Sequence, residues 1–100
     1  MDITTELDGT KATITVSGKL TVTTSPMLED AVQQLAENAV DFVIDLTDLD
    51  YISSAGLRVL VGTQKLAAQN GGSMRLLHPT DGVVEIFEMT GLSEILDIER

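Results

Sequence analysis

The spacing of apolar residues along the chain predicts strands that alternate with helices. Alternate positions are apolar or β-branched over residues 3–7 and again over residues 12–16, and a period of two is typical of β-strands. Asp8-Gly9 lies between these segments and supplies turn-forming residues, so the N-terminus should form a β-hairpin that ends at Gly18. Residues 40–46 form a nearly continuous apolar run, which predicts a central strand covered on both faces.

Two longer helices are predicted by apolar residues that recur at intervals of three and four. A short extended piece over residues 19–24 leads to Ser25-Pro26, where serine is expected as the N-cap and proline as the first helical residue. The first helix should therefore cover residues 26–37. The second should run from 54 to 69, because Asn70-Gly71-Gly72 follows it as a helix stop. Its predicted buried stripe consists of Leu57, Leu60, Val61, Ala67 and Ala68.

The C-terminal third continues the alternation. Residues 74–77 predict a further strand, and Pro79 starts a turn into a short helix that Thr90-Gly91 ends. Apolar residues within the segment 92–98 predict one or two final helical turns. A hairpin followed by β-α units implies an α/β fold. We therefore expect a single domain over residues 1–100, with a small mixed β-sheet flanked by about four helices.

The composition restricts the classes of function. The chain has 100 residues, of which 43% are apolar and 22% are charged, as in one compact globular domain. The absence of cysteine excludes disulfides and thiolate metal sites, and the formal net charge of −10 weighs against binding nucleic acid through its phosphates. No export signal is recognisable, and no apolar run approaches the ~20 residues of a membrane helix. We expect a cytoplasmic protein that contacts neither nucleic acid nor membrane.

The sequence contains no recognised arrangement for catalysis or nucleotide binding. The patterns G-x-S-x-G, G-x-x-x-x-G-K-[ST] and G-x-G-x-x-G are missing, and the single histidine, His78, has no sequence partner for a triad. Neither an enzyme nor a bound cofactor is therefore predicted. Asp45, Asp48 and Asp50 form the only local acidic cluster. A Mg²⁺ site is one interpretation, and hydrogen bonding within a turn is the favoured one.

Ser53 and Ser54 stand where an apolar strand segment gives way to the second helix. The first amides of a helix have no partner within it and carry partial positive charge, so phosphate on a hydroxyl there is partly accommodated. Serine is also a preferred N-cap, and this structural role is favoured for Ser53. Ser54 lies inside the first turn, where the small neighbours Ala55 and Gly56 leave its hydroxyl approachable. A serine so placed is a candidate switch.

Two segments four residues apart carry a family resemblance: Val43-Ile44-Asp45-Leu46 and Tyr51-Ile52-Ser53-Ser54-Ala55-Gly56-Leu57. Together they resemble the signature of STAS domains, the family of bacterial anti-sigma factor antagonists and sulfate transporter tails. The resemblance extends over nearly the whole chain. Its further marks are Gly18-Lys19-Leu20, Gly71-Gly72, Phe87 and Thr90-Gly91-Leu92. It implies a small mixed sheet flanked by helices, in agreement with the apolar pattern.

The resemblance also implies a phosphorylation switch. Ser54 matches the phosphoacceptor of the family, and Ser53 is the second choice because many members carry aspartate at its position. Ala55 stands where some antagonists hold their modified serine, and alanine cannot be modified. The implied function is that of an anti-sigma factor antagonist, whose unphosphorylated form binds an anti-sigma factor of the histidine-kinase-like ATPase class and frees a sigma factor. Phosphorylation reverses this binding, and a serine phosphatase is a further implied partner.

The partner surface implied by the resemblance joins the second helix to the loop before the first helix. Many antagonists carry aspartate where this chain has Thr21, in the loop that faces the kinase. The expected contact residues are Thr21, Thr23, Thr24, Ser53, Ser54, Ala55, Gly56 and Arg58. Arg58 and Lys65, seven residues apart, should share one helix face. Two alternatives stay open: a STAS scaffold or small-ligand or nucleotide-sensing module without a phosphoswitch, and an enzyme with an unrecognised site.

Overall fold

A six-stranded mixed β-sheet forms the centre of the computed structural model, which describes all residues from 1 to 100. The predicted α/β fold is confirmed, with three α-helices and one short 3-10 helix where about four helices were expected. The elements in chain order are β1 (Asp2–Asp8), β2 (Lys11–Leu20), α1 (Ser25–Leu35), β3 (Asp41–Asp45), β4 (Leu49–Ile52), α2 (Ser54–Gln69), β5 (Met74–Leu77), α3 (Asp81–Met89), the 3-10 helix (Leu92–Glu94) and β6 (Ile98–Glu99).

The topology of the sheet brings the start of α2 next to the loop before α1. The strand order is β1-β2-β3-β5-β6, and β4 pairs separately with β2. β1 and β2 are antiparallel, as the predicted hairpin requires, whereas all other pairs are parallel. Leu20 at the end of β2 is paired with Ile52 at the end of β4. The connection from β2 to α1 and the connection from β4 to α2 therefore start side by side.

Two rows of buried apolar side chains cross the sheet and form the core with α1 and α2. The rows, paired in register across β2, β3 and β5, are Ala12, Phe42 and Met74, and Ile14, Ile44 and Leu76. Leu28 of α1 and Leu60 of α2 are fully buried in the same cluster. Burial of these side chains removes apolar surface from water and fixes the orientation of both helices against the sheet.

β2 continues beyond Gly18, so the prediction that the strand ends there is wrong. Gly18 has a φ of +88°, and the register with β4 shifts between Gly18 and Lys19. Glycine adopts this conformation without steric cost, which turns the expected strand end into a β-bulge. β4, which pairs with the continued strand, lies in a segment that the sequence predicted as a turn. With four residues, and only Leu49 and Ile52 buried, it offers too little alternation to be recognised.

The start of α1 differs from the predicted cap. Ser25 is the first helical residue, and the N-cap position belongs to Thr24, which makes no side-chain capping hydrogen bond. Ser25 is buried, and its hydroxyl donates to the carbonyl oxygen of Thr21. The serine predicted as a cap therefore closes the preceding loop against the helix. α1 ends at Leu35, two residues before the predicted end.

α2 has the predicted bounds, but its buried face is turned toward α1. Three of the five predicted stripe residues are buried, whereas Val61 is half-buried and Ala68 is exposed. Val59 and Thr63 are buried instead. Thr63 is missed by a hydrophobicity pattern, although its hydroxyl donates to the Val59 carbonyl oxygen at 2.8 Å and so needs no other partner. None of the helices, α2 included, is long and apolar enough to span a membrane.

The C-terminal segment does not form the predicted final helical turns. Leu92–Glu94 is a single 3-10 turn, and Ile98–Glu99 then forms β6, parallel to β5. Apolar residues at 92, 95 and 96 happen to follow helical spacing. A two-residue strand has no period of its own, so pairing with β5 decides the conformation rather than the local pattern.

Candidate functional site

Ser53 caps α2, as the sequence predicts. Its backbone is extended, with φ −87° and ψ 172°, and its hydroxyl oxygen accepts a hydrogen bond from the Gly56 N–H at 3.3 Å. The Ser53 N–H donates to the Leu20 carbonyl oxygen at 2.8 Å, which ties the cap to the end of β2. Ser53 is half-buried and its hydroxyl is engaged. The structure therefore gives it the role of a cap.

Ser54 is the first residue of α2 and is exposed. Its hydroxyl makes no hydrogen bond within the protein, unlike that of Ser53. The backbone N–H groups of Ser54 and Ala55 start the helix and have no acceptor four residues earlier within it. No acidic residue lies in this first turn. An anion attached to Ser54 would thus meet unpaired amides at the positive end of the helix dipole.

Gly56 lies buried where α2 crosses the paired ends of β2 and β4. A Cβ at this position would lie 2.8 Å from Leu20 Cδ2 and 2.8 Å from Ile52 Cγ1, which is closer than carbon atoms pack. The missing side chain lets the first turn of α2 rest directly on the strand ends and holds Ser54 in place. Among the predicted contact residues, Gly56 therefore has a packing role in this structure.

The loop before α1 is closed by its own threonines. The Thr21 N–H donates to Thr24 Oγ1 at 2.8 Å, and the Thr24 hydroxyl donates to the Lys19 carbonyl oxygen at 2.8 Å. The Thr24 N–H donates back to Thr21 Oγ1 at 3.3 Å. Two of the three threonines expected at the partner surface thus hold the loop together. Thr23 is exposed and makes no side-chain hydrogen bond.

A shallow groove joins this loop to α2. Val22, Pro26, Ala55 and Arg58 are among the residues that line it, and its volume is about 270 Å³. The structure therefore brings Ala55 and Arg58 to the loop, as expected. Val22 is 73% exposed, which makes it the most accessible apolar side chain of this surface, and it was not among the predicted contact residues. Its position between two threonines in a predicted loop was the only feature of the sequence that indicated its exposure.

The acidic cluster has the favoured turn hydrogen bonds at Asp45, the last residue of β3, whereas Asp50 lies in β4 and not in a turn. Asp45 accepts hydrogen bonds from the Thr47 hydroxyl at 2.6 Å and from the Thr47 N–H at 2.9 Å. These bonds hold the pKa of Asp45 below its usual range, with a smaller contribution from the charge of His78. Asp48 and Asp50 are exposed. No group of three or more His, Asp or Glu side chains is placed to hold a metal ion.

Comparison with known proteins links this chain to one family. The family model described as Mlab, STAS domain matches residues 3–97. The anti-sigma-B factor antagonist of Bacillus subtilis (strain 168) is 36% identical over 85 residues, which cover 85% of this chain and 78% of that protein. The anti-sigma-B factor antagonist of Listeria monocytogenes is 35% identical over 97 residues, which cover 95% of this chain and 84% of that protein.

Solved structures support the same fold. The anti-sigma factor antagonist SpoIIAA in its unphosphorylated form superposes with a TM-score of 0.86 at 16% identity, covering 99% of this chain and 89% of that one. The Bacillus cell fate determinant SpoIIAA in its phosphorylated form gives a TM-score of 0.78 at 15% identity, covering 99% of this chain and 92% of that one. At these identities the likeness establishes a common fold.

Proposed function

The chain belongs to the STAS domain family, and we propose that it is an anti-sigma factor antagonist that phosphorylation of Ser54 switches off. Relatives at 36% and 35% identity are named anti-sigma-B factor antagonists. In the proposed cycle, the unphosphorylated protein binds an anti-sigma factor of the histidine-kinase-like ATPase class and releases a sigma factor. The same partner then phosphorylates Ser54, and a serine phosphatase restores the active form. The chain itself performs no reaction in this cycle.

The observation that carries the proposal is the contrast between two adjacent serines. The Ser53 hydroxyl is engaged with the Gly56 N–H, whereas Ser54 is exposed and its hydroxyl is free. A kinase needs a hydroxyl that it can reach and orient, so Ser54 is the better acceptor. Ser53 has a structural role as the N-cap of α2, because loss of an N-cap costs about 1 kcal/mol of helix stability.

A phosphate on Ser54 is compatible with the fold. The unpaired amides of the first turn and the helix dipole offset part of the cost of the added charge. SpoIIAA has been solved in both phosphorylated and unphosphorylated forms, and both share the fold of this chain. The proposed switch therefore acts by local charge and shape, while the domain stays folded.

The added charge is large enough to change partners. Phosphoserine carries about −1.5 to −2 charges at neutral pH. One extra charge about 5 Å from an acidic group of the partner costs on the order of 3 kcal/mol at an effective dielectric constant of 20. This corresponds to a loss of about a hundredfold in affinity. A single modification would thus be sufficient to separate the antagonist from its anti-sigma factor.

The test is to incubate the protein with ATP and each anti-sigma factor of this class from the same genome, and to map added phosphate by peptide mass spectrometry. Wild type, Ser53→Ala and Ser54→Ala are compared. We expect one phosphate that only Ser54→Ala loses. Ser53→Ala is the matched control, because it weakens the cap but leaves the acceptor. Phosphate that Ser53→Ala alone loses would move the site, and no phosphate with any of these partners would overturn the switch.

A further inference from the structure

A second, larger groove lies between α1 and α2 and continues from the candidate site. Its volume is about 410 Å³, and its apolar lining includes Val32, Val59 and Leu66. It shares Glu29, Arg58 and Val59 with the groove beside the loop. The two grooves therefore form one surface, which we call the α1–α2 groove, and which extends from Val22 to Gln69.

The charge of the α1–α2 groove is opposite to that of the whole molecule. The chain has a net charge of −10 and six basic residues. Arg75 and Arg100 form ion pairs with other side chains, whereas Arg58 and Lys65, like Lys11 and Lys19 elsewhere, form none. Glu29 is the one carboxylate that faces these two cations in the groove. Such a local positive surface on an acidic protein attracts an acidic partner and orients its approach.

Gly62 keeps this groove open, although no packing contact within the protein requires a glycine at this position. It lies in the middle of α2, is exposed, and a Cβ there would meet no atom within 4 Å. Glycine in a helix interior costs about 0.5–1 kcal/mol relative to alanine. At Gly56 the same cost has an internal cause, because the helix touches the strands there. At Gly62 the space lies outside the fold, between Arg58 and Lys65, and is available to a partner.

We propose that the α1–α2 groove binds an acidic amphipathic helix of the anti-sigma partner, an inference that rests on the proposed function. Arg58 and Lys65 are seven residues apart, about 10.5 Å or two turns along the helix axis at 1.5 Å per residue. A partner helix that lies along the groove with carboxylates two turns apart meets both cations. Its apolar residues then cover the half-buried Leu66 beside the space that Gly62 leaves.

Arg58 links this groove to the phosphorylation site. It lies four residues after Ser54, so the two side chains are neighbours on the surface of α2. A phosphate on Ser54 attracts the Arg58 guanidinium by charge-assisted hydrogen bonds. The same phosphate repels the carboxylates of a helix in the groove. Phosphorylation therefore removes one of the two cations that the partner uses and adds a repulsive charge beside it.

The charge component is tested by titration calorimetry against each anti-sigma factor of the kinase-like class from the same genome. Lys65→Glu is compared with Lys11→Glu, since Lys11 is also exposed and without an ion pair but lies at the start of β2. We expect Lys65→Glu to lose about tenfold or more in affinity, as for a desolvated charge pair. Lys11→Glu changes the net charge equally and should stay within about twofold of wild type.

The shape component is tested with a matched pair of glycines. Gly62→Leu places a side chain in the groove, and Gly82→Leu places one on α3, where a Cβ also meets no atom within 4 Å. Both variants should remain folded, because neither side chain clashes with the fold. We expect Gly62→Leu to lose about tenfold or more in affinity by blocking the groove, while Gly82→Leu binds as wild type within about twofold.

The outcomes separate this inference from the proposed function. If wild type binds and Lys65→Glu matches Lys11→Glu, the acidic helix is overturned while the antagonist function stands. If Gly62→Leu binds like Gly82→Leu, the groove is not the docking surface. If no anti-sigma factor of this class binds wild type, the proposed function fails and this inference fails with it.

Discussion

The starts of α2 and α3 use the same backbone arrangement but differ in charge. Each helix follows a hydroxyl residue whose oxygen accepts a hydrogen bond from the N–H three residues later. The donors are Gly56 to Ser53 at 3.3 Å and Val83 to Thr80 at 3.4 Å. The first residue of α3 is Asp81, whereas the first turn of α2 has no acidic residue and begins with Ser54.

This difference in charge bears on the proposed phosphorylation of Ser54. A negative charge at a helix N-terminus is stabilising because it complements the helix dipole. α3 has this charge permanently in Asp81, which also lies 3.5 Å from a guanidinium nitrogen of Arg100. α2 lacks the charge and acquires it only if Ser54 is phosphorylated. The start of α3 has its negative charge within the fold, whereas the start of α2 would gain one through the proposed phosphorylation.

The largest expected effect comes from giving α2 the permanent charge that α3 has. We expect Ser54→Asp to bind the anti-sigma factor about a hundredfold more weakly than Ser54→Ala, because the carboxylate repels the acidic partner surface. The same substitution should raise the free energy of unfolding by about 0.3–1 kcal/mol through the helix dipole. Titration calorimetry measures the loss of affinity, and urea denaturation measures the gain in stability.

The reverse exchange on α3 is the control. Asp81→Ser removes the charge from the other helix start and should slightly destabilise the fold, while affinity for the partner stays within about twofold of wild type. If Ser54→Asp and Ser54→Ala bind equally, the comparison between the two helix starts has no regulatory meaning. A large loss of binding in Asp81→Ser would place the partner on α3 instead.

The second prediction compares a glycine near the start of each helix. A Cβ on Gly56 would lie 2.8 Å from both Leu20 Cδ2 and Ile52 Cγ1, whereas a Cβ on Gly82 meets no atom within 4 Å. We expect Gly56→Ala to lower the free energy of unfolding by about 1–3 kcal/mol through overpacking. Gly82→Ala should be neutral or stabilising by up to about 1 kcal/mol. Equal urea midpoints would show that α2 does not depend on this close approach.

Gly56 also illustrates how much of the site could be predicted from sequence. Helix periodicity predicts the bounds of α2, and capping chemistry predicts the cap at Ser53. The family resemblance predicts that Arg58 lies near the loop before α1. The reason for Gly56 does not, because it depends on Leu20, which is 36 positions earlier in the chain. Only the pairing of β2 with β4 brings that side chain under the helix.

The failures of the sequence analysis have a common physical origin. β4 and β6 are four and two residues long, so their conformation is set by a neighbouring strand and not by their own pattern. Thr63 was missed on the buried face of α2 because its hydroxyl bonds within the helix, which allows a polar residue to lie in the core. In each case the deciding contact lies across the fold or within the helix backbone, where hydrophobic spacing carries no information.

The smallest expected effect concerns Asp45, a carboxylate whose charge is stabilised by nearby hydrogen-bond donors. No helix dipole is involved in this case. Asp45 accepts hydrogen bonds from the Thr47 hydroxyl and N–H, which lower its pKa. Because this pKa is lower in the folded state, the bonds stabilise the protein above about pH 4, and the contribution is lost as the pH falls through the folded-state pKa. We expect Thr47→Val to raise the pKa of Asp45 toward its usual value in an NMR titration. At neutral pH it should lower the free energy of unfolding by about 0.5 kcal/mol, a small value because solvent screens the pair.

The control for this last change is Thr23→Val, since the Thr23 hydroxyl is exposed and makes no side-chain hydrogen bond. It should leave the titration of Asp45 unchanged. In acid, where the Asp45 carboxyl is protonated in both folded and unfolded states, the stability difference between wild type and Thr47→Val should become smaller, because its charge-dependent part is lost. An unchanged pKa in Thr47→Val would mean that the hydroxyl does not stabilise the charge. The lowered pKa of Asp45 would then have to be assigned to the Thr47 N–H, which the substitution leaves in place.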